Sequence, residues 1–176
     1  MQQVKRWIKE WVPTLAIAAI VSFTFNTYVA QGMTVPTGSM LPTIQLDDKI
    51  LVEKMVDLTD FNFGDVVVFY PPLEGHENER FVKRLIGLPG DTIEVKDGVL
   101  IRNGQKVDEP YLSEKMNYTY GPVTVPADHY FFLGDNRNDS EDSHLWPTTP
   151  FVAKDKLVGK VMFRYFPFNH IGSLDK

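Results

Sequence analysis

The chain has 176 residues, 43% of them hydrophobic, which suits one membrane segment and one compact domain. It contains no cysteine, which excludes thiol nucleophiles, cysteine–zinc sites and disulfide frameworks and leaves the compartment open. After Leu46, 15 basic side chains stand against 22 acidic ones, a formal charge of −7, so nucleic acid is not expected as a partner.

Between Trp11 and Leu46 there is no Asp, Glu, Lys, Arg or His. The first part, residues 11–30, is long enough at about 20 residues to cross a ~30 Å hydrocarbon core as a helix. Trp7 and Trp11 at one end and Tyr28 at the other are placed as interfacial anchors. A buried core helix is the alternative. Lys5, Arg6 and Lys9 precede the span, whereas Asp47 and Asp48 are the first charges after it. The positive-inside bias therefore predicts a single-pass protein of the cell membrane. Residues 1–10 are expected in the cytoplasm, 11–30 as the anchor, and 31–176 as a domain on the extracytoplasmic face. A cleavable signal peptide is the other possibility. The apolar run exceeds the ~7–15 residues of such segments, and bulky Tyr28 spoils a small-x-small site ending at Ala30, so an uncleaved anchor is expected.

Beyond Thr43 the pattern turns to short segments rich in Val, Ile, Phe and Tyr: residues 49–56, 65–70, 80–86, 91–96, 99–102 and 157–166. Asp97-Gly98 and Asn103-Gly104 are two-residue hairpin turns, so residues 91–107 are predicted to form a small meander. It opens a small β subdomain over about 92–129. Prolines at 71, 72, 110, 122, 126, 147 and 150 keep the intervening stretches from forming long helices. The predicted fold is mainly β, an antiparallel domain behind one N-terminal transmembrane helix.

Three segments could carry chemistry. Ser39 lies in Pro36-Thr37-Gly38-Ser39-Met40-Leu41-Pro42-Thr43, where it is either a linker residue or a nucleophile. No histidine triad motif and no Gly-x-Ser-x-Gly elbow accompany it, which leaves the Ser-Lys variant. A lysine base must be neutral near working pH, which burial among apolar groups favours. In Arg80-Phe81-Val82-Lys83-Arg84-Leu85-Ile86, strand alternation sets Lys83 between Phe81 and Leu85 on one face. The alternative is a lysine whose amine snorkels to water. The third segment, residues 134–144, is dense in short polar side chains and reads as a hydrogen-bonded or solvated acidic loop. As an EF-hand it fails, with Arg137, Ser140 and Trp146 at the third, sixth and twelfth positions. No His-Glu-x-x-His metal spacing occurs.

Taken in order, residues 39–43, 64–69, 83–91, 134–137 and 142–143 closely resemble the motif boxes of type I signal peptidases, over about residues 5–165. The resemblance implies a membrane-bound serine endopeptidase that removes N-terminal signal peptides after small residues of Ala-x-Ala type. Ser39 would be nucleophile and Lys83 general base through an acyl-enzyme, with Thr37 and the Ser39 N–H as oxyanion hole. It assigns Ser140 to orienting the lysine amine and Asp142 to bracing the loop. By analogy Val35, Met40, Phe81 and Val82 line the substrate pockets, and the partners are secretory preproteins emerging from the export machinery, and membrane lipid. No cofactor and no metal is called for. One departure stands out: the family often has Arg where this chain has His144, and an imidazole loses its charge near neutral pH whereas a guanidinium does not. An inactive family member, or a membrane-tethered β binding or scaffold domain, is the alternative reading.

Overall fold

A computed structural model describes residues 2–174. Asp175 and Lys176, the end of the expected domain, lie outside the described residues, as do the side chains of Lys5 and Arg6. Helix α1, Gln2–Thr24, carries Pro13 inside it and continues as a short π-helical segment, Phe25–Val29. The stretch Lys9–Val29 is long and apolar enough to cross a membrane, and none of it packs inside the protein. Leu15, Ile17, Ile20, Val21 and Phe23 are all exposed. A helix apolar on all sides and packed against nothing cannot be a core helix, which removes that alternative.

The chain then turns directly into β1 (Ala30–Thr34), followed by β2 (Lys49–Glu53), β3 (Val66–Phe69), β4 (Phe81–Gly87), β5 (Thr92–Lys96), β6 (Val99–Arg102) and β7 (Gln105–Lys106). β8 (Tyr120–Thr124), β9 (His129–Leu133), β10 (Val152–Ala153) and β11 (Leu157–Phe166) complete the set. They form a seven-stranded sheet, β1-β2-β11-β3-β4-β9-β10, and a four-stranded sheet, β7-β6-β5-β8. Every pairing is antiparallel.

The small sheet is the predicted meander extended by β8. Asp97 and Gly98 have φ of 53° and 77°, and Asn103 and Gly104 have 54° and 77°, the positive pair that a tight hairpin with right-handed strand twist requires. Three apolar clusters hold the architecture. Val35, Met40, Ile44, Ile50, Val66 and Val68 centre one, and Phe69, Leu85, Phe132 and Trp146 another. The third seals the two sheets together, with Ile86, Phe131 and Leu133 of the large sheet against Ile93, Val95 and Leu100 of the small one.

Four strands, β1, β8, β9 and β10, were not foreseen by pattern. β9 is a continuous aromatic run buried on both faces, with no alternation to announce it. β1, Ala-Gln-Gly-Met-Thr, has little strand propensity and forms through its register with β2, Ala30 opposite Glu53 and Thr34 opposite Lys49. β8 contains Pro122, and β10 is only two residues long.

Candidate active site

The segment after β1 is a tight turn held by its own backbone. The Leu41 N–H donates to the Gly38 carbonyl at 3.1 Å and the Ile44 N–H to that of Met40 at 2.9 Å. Val35 is pinned on both sides, its N–H to the Asp48 carbonyl at 3.0 Å and its carbonyl to the Asp47 N–H at 2.8 Å. Ser39 is thereby presented at a bend whose neighbours cannot drift. Its hydroxyl faces Thr37 Oγ1 at 3.4 Å. Among the described residues the Ser39 N–H meets no acceptor.

Lys83 stands on β4, opposite Val67 of β3, and is 3% exposed. Its ammonium lies 5.5 Å from the centre of the Phe81 ring. Burial pulls its pKa from 10.5 down to about 8, against the pull of the Asp142, Glu141 and Asp135 carboxylates, which favour the charged form. A lysine at about 8 has an appreciable neutral fraction near physiological pH. Among the described residues no hydrogen bond joins Lys83 to Ser39 or Ser140. Ser39 and Lys83 nevertheless converge, because both open onto one cleft of about 300 Å³, lined also by Val35, Thr37, Phe81 and Val82 and bordered by Glu79 and Glu141. Met40, expected beside them, does not line the cleft. The Met40-to-Ile44 turn directs it inward, and it is fully buried in the first cluster, beneath Val35.

Behind the cleft lies the polar loop 134–144, and it is ordered throughout by hydrogen bonds. Asp142, fully buried, accepts the Gly134 N–H at 2.9 Å on one oxygen and His144 Nδ1 at 2.6 Å on the other. The His144 ring stacks on Tyr118 at 4.0 Å and 6°. Gly134 is where the loop meets the Ser39 turn. A Cβ there would overlap both the Ser140 Oγ and the Ser39 carbonyl oxygen, so only glycine allows this approach. Ser140 Oγ is buried with no hydrogen-bond partner. An unpaired buried hydroxyl beside the nucleophile's carbonyl is a polar group that calls for an explanation.

Two buried arginines fasten this loop to the rest. Arg84, next to Lys83 and pointing the other way along β4, makes a two-pronged ion pair with Asp135 at 2.8 and 2.6 Å, and Thr43 Oγ1 donates to the same carboxylate at 2.6 Å. Arg137 donates to the Gly134 carbonyl at 2.9 Å and grips Glu109 at 2.8 and 2.7 Å. Asn136 lies in the 134–137 motif, where the resemblance implies no role for it. Its N–H donates to the Ser39 carbonyl at 3.1 Å and its side-chain amide to the Gly38 carbonyl at 3.2 Å. No group of three or more His, Asp or Glu among the described residues is arranged to hold a metal ion.

The role of His144 is open to a direct measurement. Removing it leaves Asp142 with one buried oxygen short of its strongest partner, at a cost of about 1–3 kcal/mol. His144→Ala is expected to lower both melting temperature and catalytic rate, and unchanged values of both would show that the Asp142 brace does not depend on it.

An antiparallel β domain behind one exposed apolar helix, with a serine and a buried lysine on one cleft, is set in its class by comparison with known proteins: it is a membrane-associated peptidase. The chain belongs to the signal peptidase family, peptidase S26, whose model it matches over residues 8–166. It is 38% identical to the signal peptidase I of Bacillus licheniformis, over 97% of this chain and 95% of that one. It is 36% identical to the signal peptidase I of Leptolyngbya laminosa, over 95% and 84%. Among solved structures it resembles a signal peptidase I from Enterococcus faecalis V583, with a TM-score of 0.50 and 32% identity, covering 58% of this chain and 97% of that one.

Proposed function

We propose that this chain removes signal peptides from exported preproteins with Ser39 as nucleophile and Lys83 as general base. The observation that carries the reading is the pairing of a half-buried serine with a lysine 3% exposed, held near pKa 8, on one cleft with an apolar wall. The Ser39 hydroxyl turns from Thr37 to the neutral Lys83 amine and gives up its proton as Oγ attacks the scissile carbonyl carbon. The Lys83 ammonium then passes that proton to the leaving amine, and the mature protein departs from an acyl-enzyme. Water, deprotonated by the same amine, hydrolyses the ester and frees Ser39. The unpaired Ser39 N–H and the Thr37 hydroxyl are the two donors for the oxyanion. Ser140, buried and unpaired, is the partner that would orient the Lys83 amine, with Asp142 holding its loop.

Val35, Phe81 and Val82 give the cleft an apolar wall, which suits small side chains at the positions preceding the cut. A preprotein lying extended in it would gain affinity from its backbone. The exposed apolar helix is read as the anchor, with the N-terminal cationic flank on the cytoplasmic side and the β domain outside. Cleavage then occurs close to the lipid surface, on preproteins leaving the export machinery. The chemistry needs no cofactor.

The test is cleavage of a purified preprotein with an Ala-x-Ala site by the full chain in detergent, with the product N-terminus sequenced. Wild type is expected to cut after the small residue and Ser39→Ala to leave the preprotein whole. A folded wild type that cuts nothing across pH and substrates would favour a binding role for the cleft.

A further inference from the structure

Asn136 touches the nucleophile's turn in a way that the chemistry above does not yet use. Its side-chain amide donates to the Gly38 carbonyl oxygen at 3.2 Å, and the Leu41 N–H donates to that same oxygen at 3.1 Å. A carbonyl only accepts, so the amide must present its NH₂ there. In a planar trans peptide the C=O and the following N–H point in opposite directions. The following N–H is that of Ser39. The Gly38 oxygen is held by Asn136 from the 134–142 loop and by Leu41 from its own turn, so the Ser39 N–H is aimed away from both donors. The turn itself lines the cleft, and among the described residues no acceptor meets that N–H.

The backbone of Asn136 adds a second hold. Its N–H takes the Ser39 carbonyl at 3.1 Å, and the Asn136 carbonyl accepts the Asp139 N–H at 3.0 Å, which keeps the residue within its own turn. The two peptide oxygens flanking the Ser39 N–H and Cα, those of Gly38 and Ser39, are thus both bound by this one residue. We infer that Asn136 is a positioning residue that fixes the Gly38–Ser39 peptide plane, so that the Ser39 N–H is held ready for a developing oxyanion. This rests on the serine-nucleophile reading above. A donor that is pre-aimed needs no reorganisation as charge develops, which is where such donors gain their effect. Loss of the side-chain amide leaves the Leu41 N–H as the only hold on the Gly38 oxygen, and the plane gains freedom to rock.

The experiment uses the full chain in detergent with Asn136→Ala and Asn136→Asp. Alanine removes only the side-chain contact and keeps the backbone one. Aspartate preserves shape but offers the Gly38 oxygen no donor, so it serves where alanine lowers the melting temperature. Both variants are expected to lose about 10- to 100-fold in kcat, with KM within about twofold, and the uncharged Asn136→Ala to leave the pH midpoint of activity unmoved. Asn136→Gln is expected to recover part of the rate, because its amide can still donate. A raised KM at unchanged kcat overturns the inference in favour of a substrate contact. A displaced pH midpoint in Asn136→Ala overturns it in favour of action through Lys83. A wild type that cuts, beside an Asn136→Ala that cuts as fast, refutes the positioning role alone, whereas a wild type that never cuts refutes the nucleophile reading as well.

Discussion

Replacing Lys83 by methionine is expected to abolish cleavage and, at neutral pH, to raise the melting temperature. The amine is buried, and its pKa of about 8 in place of 10.5 corresponds to about 3 kcal/mol against the charged form in the folded protein. At pH 7 the folded chain bears that cost nearly in full, since the ammonium still predominates below 8. Methionine fills a similar volume with no charge to bury. The expected gain is on the order of 1–3 kcal/mol, or about 2–12 °C for a domain of this size. A base that is costly to bury is a case of stability given up for activity. The sign of the pH dependence follows. Because the folded pKa lies below the unfolded one, unfolding takes up a proton between about 8 and 10.5, and wild-type stability rises with pH through that window. The advantage of Lys83→Met should therefore shrink from pH 7 to pH 10. Melting curves of both proteins in one detergent across that range test it, and a lower melting temperature for the variant at pH 7 would refute it.

The same group sets the activity profile. Only the neutral amine accepts the Ser39 proton, so wild-type kcat/KM should fall about tenfold for each pH step below about 8 and level off above it. A rate that stays flat between pH 6 and 9 would mean that the base is some other group. Glu141, on the cleft rim, supports the charged form of Lys83 through space, so Glu141→Gln should shift the midpoint toward lower pH.

Where the sequence spoke clearly, the cause was local. Asp97-Gly98 and Asn103-Gly104 announce their hairpins because positive φ is a property of two adjacent residues. The burial of Lys83 was half legible. Alternation shows which neighbours share its face, but burial to 3% depends on β3 lying alongside, with Val67 opposite. β1 was not foreseen because its pairing partner, not its composition, makes it a strand. Met40, placed in the pockets by family analogy, differs because its turn points it into the core. Asn136 was out of reach altogether, since its side-chain contact joins residues 98 positions apart and Asn in a polar loop looks like any other.

Asp135→Ala is expected to cost about 3–5 kcal/mol of stability and to depress activity with it. Arg84 is fully buried, and its guanidinium, which burial works against, is kept charged by the Asp135 hydrogen bonds and charge. Its remaining contacts are the Gly64 carbonyl at 2.7 Å and the face of Tyr111 at 4.1 Å, neither of which carries a compensating charge. Removing one partner of such a pair leaves an uncompensated buried ion, which is far more damaging than replacing both with apolar groups. At about 2–4 °C per kcal/mol, the melting temperature should fall by roughly 6–20 °C. Catalysis is caught in the same change because Asp135 also takes the Thr43 hydroxyl and stands between Gly134 and Asn136. It ties the Ser39 turn, the loop that touches it, and the strand bearing Lys83 to one carboxylate. The double variant Arg84→Met with Asp135→Leu should recover much of the melting temperature while leaving the rate low, since apolar packing can replace the buried pair but not the Thr43 contact. If the double variant is no more stable than Asp135→Ala, the loss comes from the severed loop and not from the stranded charge.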